Sequence, residues 1–328
     1  MPTTRGRALL LVVVAATVAG LAACSDPGDS TIDDGWRGAT ALTDTEDHAA
    51  GVATDGTVAV FSTGGSEVGE NAVRVVPLDG SAPSRVLVTE PLGGIPSRAL
   101  AIAGDTVYVA VGRSIAAVPL AGGAATPVVT DRPASITSIA VDGDHLFWTT
   151  SQLNVPEAAE VGMVTLSTGD VDVLADHVVG RGSYTSVVPD GSGGAYAASP
   201  AGIVHVAPGA PAEVVVTDQQ ASGAVTRIAI DSDRLYGVVA GGRNDLFSAP
   251  LAGGAITQLA DRADNTGDIV AVGGGVAFFV GDDVRWVLAD GGDEVTIASG
   301  PQADGTLAPT ADGLVFPADW RLWTAPLP

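Results

Sequence analysis

From residue 36 onward, apolar and polar positions alternate in short runs, and β-branched residues dominate the apolar set. Ser138-Ile139-Ala140-Val141 is one such run; Asp142-Gly143-Asp144 follows, and then His145-Leu146-Phe147-Trp148-Thr149-Thr150. A period of two puts successive side chains on opposite faces of a strand, and Asp/Gly clusters supply the backbone conformations that tight hairpins require. The pattern predicts short strands joined by turns along the whole length. No segment between Gly35 and the C-terminus carries the apolar spacing of a helix.

These strands belong to a repeating unit. A strand-ending motif reads PLDGS at Pro77 to Ser81, PLAGG at Pro119 to Gly123 and again at Pro250 to Gly254, with TLSTG (from Thr165), VAPGA (from Val206), LADGG (from Leu288) and a terminal Pro326-Leu327 as weaker copies. A second marker, the turn that opens each unit, keeps step with it at Asp55-Gly56, Gly104-Asp105, Asp142-Gly143, Asp190-Gly191, Asp231, Gly273-Gly274 and Asp312-Gly313. Two independent markers with a common period near 40 residues and about four short strands per unit predict an all-β, seven-bladed β-propeller of four-stranded blades. Inner strands are expected near residues 50, 100, 138, 186, 228, 270 and 308. The alternative count is six, if 179–219 or 301–328 is not a blade. Gly38-Ala39-Thr40-Ala41-Leu42-Thr43-Asp44 matches the fourth strand at Gly254 to Asp261, whereas the C-terminus has three strands and no fourth. The two ends are therefore expected to share one composite blade, with Trp36, Trp320 and Trp323 stapling it. Trp148 and Trp286 are expected between blades.

The N-terminus has a different pattern. Arg5 and Arg7 precede an apolar run from Ala8 to Ala23, short for a membrane span but laid out as an export signal. It ends in Leu21-Ala22-Ala23-Cys24, which resembles the lipoprotein box of bacterial export signals. That resemblance implies a signal peptide at 1–23, a lipidated Cys24, a polar tether through residue 35, and a propeller domain at 36–328 on the outer face of the cytoplasmic membrane. Cys24 is the sole cysteine, which excludes an intramolecular disulfide. The whole of 36–328 resembles exported bacterial propellers of the TolB-like or YWTD-like kind: Leu146-Phe147-Trp148-Thr149-Thr150 is close to Tyr-Trp-Thr-Asp.

Composition narrows the function. Acids outnumber bases 38 to 15, for a formal net charge of -23, and every base is Arg. Lys-dependent chemistry is excluded and a nucleic-acid surface is disfavoured, since phosphate binding needs clustered cations. His48, His145, His177 and His205 lack chelating spacing, and no Gly-x-Ser-x-Gly nucleophile motif occurs. No cofactor is expected; calcium is the one ion for which oxygens are on offer, at Asp142-Gly143-Asp144, Asp231-Ser232-Asp233 and Asp282-Asp283, although the same residues suit hairpin turns.

Loop length carries the functional expectation. Thr63 to Asn71 and Ser151 to Gly162 are long, and both join second to third strands, on the face that also carries the blade-to-blade connections. Glu67, Glu70, Asn71, Gln152, Asn154, Glu157, Glu160, Arg181, Tyr184, Arg243, Asn244 and Asp245 are expected to line this rim. The expected function is a membrane-anchored binding or scaffold protein whose rim holds a protein, peptide or glycan partner. The alternative is a calcium-assisted propeller hydrolase or lactonase.

Overall fold

In a computed structural model of the chain, the described residues are 36–44, 49–64, 71–94, 97–151, 159–176, 184–240, 245–261, 263, 267–301 and 305–328. Cys24 and the whole N-terminal segment through residue 35 lie outside them. The described residues form seven four-stranded antiparallel sheets, and all seven are blades of one β-propeller. The inner strands are Ala49–Thr54, Leu100–Ala103, Ser135–Asp142, Ser186–Pro189, Ala224–Ile230, Val270–Val272 and Ala308–Pro309, at the positions the repeat predicts. Helix is confined, among the described residues, to single turns such as Asp218–Ala221, which Thr217 and Gln220 close with a reciprocal capping box.

Apolar burial is distributed around the ring. Among the described residues seven buried clusters occur, and each draws its side chains from two neighbouring blades. Alternation explains this: a blade has two faces, both covered by neighbours, so side chains pointing either way along its middle strands are buried. Trp148 lies fully buried between blades two and three, as expected. Its register partner is Gly162, where a Cβ would fall 2.1 Å from the indole ring, so only glycine lets the ring lie flat across the strand. In each of the six uninterrupted blades, the pairing of third and fourth strands shifts register once, as at Val73/Arg74 and Val284/Arg285. Such bulges increase local twist, which fans each blade outward from the axis.

The seventh blade is the composite one. Gly313–Ala318 and Arg321–Pro326 pair with each other, and Thr40–Ala41 completes the outer edge with Thr40 opposite Thr324 and Ala41 opposite Trp323. Leu42 N–H donates to the Leu322 carbonyl at 2.8 Å, and Thr43 Oγ1 accepts from Leu322 N–H at 2.9 Å. Before this strand the chain crosses to blade six, where Arg37 and Ser299 exchange two backbone hydrogen bonds. Trp36 is 4% exposed, packs edge-on against Phe316 and donates its indole N–H to the Pro301 carbonyl at 3.2 Å. Gly300 makes room for it: a Cβ there would lie 2.6 Å from the indole. Trp323 is likewise buried, whereas Trp320 is 52% exposed in the hairpin between the last two strands. Both central residues of that turn, Asp319 and Trp320, have positive φ, and the Trp320 carbonyl accepts from Ala49 N–H at 3.1 Å.

Trp36→Ala should therefore cost about 3–5 kcal/mol, seen as a lower urea midpoint, and Trp320→Ala, at a half-exposed site, should cost less. Equal effects would contradict the assigned staple. A second expectation concerns acid. Asp55, Asp190, Asp231 and Asp283 are held below the ordinary value of 3.8. Burial opposes this at the first three and is outweighed by turn amides at Asp55, by His205 and then turn amides at Asp190, and by Tyr236 and then turn amides at Asp231; at Asp283 the Ser299 hydroxyl leads, with Arg285 beside it. Such carboxylates stabilise the fold above their unfolded value and lose that contribution as the pH falls through the folded one. Melting temperature should hold steady down to about pH 4 and then decline.

Candidate functional site

Antiparallel blades give the propeller two unlike faces. First-to-second and third-to-fourth hairpins share one face; second-to-third loops and blade-to-blade connections share the other, called here the connecting face. The Asp-rich turns lie on the hairpin face, and their carboxylates hold the turns together. Asp55 Oδ1 accepts from the amides of Thr57 and Val58, Asp190 Oδ1 from those of Ser192 and Gly194, and Asp231 Oδ1 from those of Asp233 and Arg234. Asp144 caps Ser167 on the same face, whereas Asp283, at the second-to-third turn of blade six on the connecting face, takes the Ser299 hydroxyl and Arg285. Among the described residues, no group of three or more His, Cys, Asp or Glu side chains converges in the manner of a metal site.

The rim expected from loop length falls partly outside the described residues. Glu67, Glu70, Gln152, Asn154, Glu157, Arg181, Arg243 and Asn244 lie there. The other four candidates are built into the wall. Glu160 is buried: both carboxylate oxygens take Arg132, at 2.6 and 2.7 Å, and Oε1 also accepts from the Trp148 indole at 2.9 Å. The Arg132 guanidinium lies over the same indole, 5.6 Å from its centroid. Tyr184 is buried among Phe147, Val161 and Val187, and burial pushes its hydroxyl pKa up. Asn71 is buried and its carbonyl accepts from Glu90 N–H. Asp245 is half-buried, and its carbonyl accepts from Val239 N–H. Glu160 and Tyr184 thus anchor the roots of their loops through buried side chains, and Asn71 and Asp245 through their backbone carbonyls.

What the structure brings together is the mouth of the central channel, a cavity of about 280 Å³ at the connecting-face end of the inner strands. Its geometry follows from an edge problem. An inner strand is the edge of its blade, so alternate N–H groups face the axis with no strand to receive them. Three are met by a hydroxyl from the preceding blade: Val52 N–H by Thr306 Oγ1 at 2.7 Å, Val187 N–H by Ser138 Oγ at 3.2 Å, and Ile228 N–H by Ser186 Oγ at 3.4 Å. The accepting residue precedes a buried apolar one in each case. In blades five and six that position is Arg227 and Asp268, paired Nε to Oδ1 at 3.0 Å; in blades one and two it is Gly51 and Ala99. Arg227 also donates to the Thr226 carbonyl, which the Thr185 hydroxyl shares. Arg98 enters from the segment before blade two. Asp268 keeps 39% of its side chain open, toward the mouth it lines, while protein closes in around the rest. Burial pushes its carboxyl up, and Arg227 and then Arg98 pull it back.

The loop-length argument selected the face on which this cavity opens and did not include these residues. The available signal was a polar or charged residue one place before the apolar start of successive inner strands, as in Ser138-Ile139, Ser186-Val187 and Arg227-Ile228.

Comparison with known proteins agrees on the fold. The WD40 propeller domain of Doa1 superposes with a TM-score of 0.65 at 12% identity, over 88% of this chain and 96% of that one. The propeller domain of Cps50 (Swd1) from Myceliophteria thermophila gives 0.65 at 14% identity, over 86% and 97%. A chain of a nidogen/laminin complex gives 0.54 at 19% identity, over 75% and 93%. The shared property is the β-propeller itself. Neither a protein-family model nor a curated protein matches the sequence.

Glu160→Ala should cost about 3 kcal/mol, because it leaves the Arg132 cation and the Trp148 indole without their acceptor in a buried setting. Chemical denaturation reads this directly; a loss below about 0.5 kcal/mol would mean that the pair is dispensable.

Proposed function

We propose that this chain is a lipid-anchored binding or scaffold protein that presents the connecting face of its propeller to a partner outside the cytoplasmic membrane. The observation that carries the reading is the asymmetry of the two faces. On the hairpin face Asp side chains cap several of the turns, whereas the connecting face combines the long loops at 63–71 and 151–162 with a polar cavity. Loops rooted in buried anchors such as Glu160 and Tyr184 can vary at their tips without disturbing the blades.

A protein or peptide partner is favoured over a glycan. The fold recurs in a nidogen/laminin complex, and the strongly acidic surface would steer basic protein surfaces toward it. Export and anchoring rest on Leu21-Ala22-Ala23-Cys24 and on the basic and apolar segments before it. Two or more acyl chains, as lipoprotein maturation adds, suffice for stable membrane attachment. The calcium-assisted hydrolase reading would need carboxylates converging on the channel. Among the described residues lining the mouth there is one carboxylate, Asp268, and it is paired with Arg227.

The test is photo-cross-linking on intact cells, with a reactive residue placed at Glu67 or Gln152 on one face and at Asp79 or Ser192 on the other. A discrete adduct from the first pair only, and loss of membrane association and of metabolic lipid labelling in Cys24→Ala, are the expected results. Adducts of equal yield from both faces would sink the binding-face reading, and labelling that persists without Cys24 would sink the anchor.

A further inference from the structure

We infer that the connecting face is the side of the propeller turned toward the membrane, and that the partner it binds is a protein held in that same membrane. The inference rests on the anchored-scaffold reading above and deepens it. It uses the place where the chain enters the propeller and the length of chain between that place and Cys24.

The entry is at blade six. The outer strand of that blade, Val295–Ser299, starts from a third-to-fourth hairpin and therefore ends at the connecting face. Just beyond its end, Gly300 N–H donates at 3.0 Å to the carbonyl of Asp282, in the second-to-third turn. Trp36 sits at this end: its indole lies against Gly300 and donates to the Pro301 carbonyl. From there the chain runs away from the connecting face. Arg37 pairs with Ser299, and a Cβ at Gly38 would fall 2.4 Å from the Ile297 carbonyl oxygen. Gly38, at φ +79°, reverses the course. Thr40–Ala41 then returns beside Arg321–Pro326, and Thr43 meets Leu322 next to the second-to-third turn of blade seven. Both ends of segment 36–43 thus lie at the connecting face. A closing strand that simply continued antiparallel to Arg321–Pro326 would have entered from the hairpin face; the reversal at Gly38 moves the entry to the opposite side.

Chain length turns this entry point into an orientation. Residues 24–35 reach at most about 40 Å when fully extended. A blade built of six-residue strands is about 20 Å tall, at about 3.4 Å per residue. With the hairpin face toward the bilayer, the chain would have to pass down the flank of blade six before meeting lipid. That path consumes about half of the reach and the conformational freedom of every residue laid along it. With the connecting face toward the bilayer no such path is needed. An anchored copy therefore holds its long loops and its channel mouth close to the membrane. Charge then decides the occupant. Acids outnumber bases 38 to 15, and Glu67, Glu70 and Glu157 belong to the loops of this face. An anionic lipid surface repels such a chain, whereas basic residues of a protein projecting from the same membrane complement it. Confinement of both to one membrane also raises the concentration at which they meet.

The lipidated full chain, purified in detergent and returned to vesicles, tests the orientation. Acylation occupies the Cys24 thiol, so a single introduced cysteine takes the only dye. Gln219→Cys and Asp282→Cys place it on the connecting face, and Ala124→Cys and Ala210→Cys on the hairpin face; all four positions are exposed. Energy transfer to an acceptor dye on lipid headgroups is expected to be higher from the first pair than from the second. Equal transfer from the two faces, or the reverse order, would overturn the inference and leave the anchor standing. Recovery of the chain free of vesicles, with Cys24 open to the dye, would overturn the anchor and this inference together. In cells, a photo-reactive residue at Gln219 is expected to give an adduct with a protein that stays with the membrane through an alkaline wash. About 24 Gly and Ser residues inserted between Gly35 and Trp36 make the tether about threefold longer, and should lower the yield of that adduct about fivefold, following the −3/2 power of length. The melting temperature should not change. An adduct with a protein that the wash releases, an adduct with lipid alone, no adduct, or a yield that ignores the length of the tether would overturn the membrane-borne partner.

Discussion

A propeller is a closed ring, and everything else in this structure depends on the register that closes it. Blades stack through apolar faces, and such contacts alone do not specify where a ring begins or ends. The backbone does that here. Thr40 and Ala41 pair with Thr324 and Trp323, so that the last blade borrows its outermost strand from the start of the domain. Arg37 extends the tie to blade six, and Trp36 fills the space beside Gly300 and Phe316. Because each buried cluster is shared by two neighbouring blades, opening this joint would expose apolar faces on both sides of it.

Closure also creates the site. A strand at the centre of a ring has an unpaired edge that faces inward, where neighbouring blades are too close for free solvation and too few to form another sheet. Hydroxyl side chains from the preceding blade solve the problem at Val52, Val187 and Ile228. Where the repeat instead places Arg227 and Asp268, the same position forms an ion pair across two blades. The polar mouth is a consequence of architecture.

The rim tells a complementary story. Long loops need firm roots, and the residues at those roots are buried. Glu160 satisfies Arg132 and the Trp148 indole at once, next to the point where Gly162 lets that indole cross the strand. Tyr184 belongs to the cluster between blades three and four. Residue type had suggested contact chemistry for both. Burial converts them into supports, because a charged or phenolic group inside a blade interface is held by its partners and is closed to ligands.

By itself, the sequence determined the repeat, the strand content, the seven blades and the composite closure. These depend on local alternation, turn residues and spacing, which act within about 40 residues and leave a periodic trace. It also determined which face carries the long loops, since strand order alone decides that. Only the tertiary structure decided which residues meet. Arg98, Ser138, Ser186, Arg227, Asp268 and Thr306 come from five blades and part of a sixth, far apart in the chain, and converge because a ring brings equivalent positions to one axis. The fate of Asp55, Asp190 and Asp231 as turn caps, and of Glu160 as a buried anchor, was equally a matter of geometry. A carboxylate has the same letter in a sequence whether amides, a guanidinium or solvent will surround it, and that difference is made only by folding.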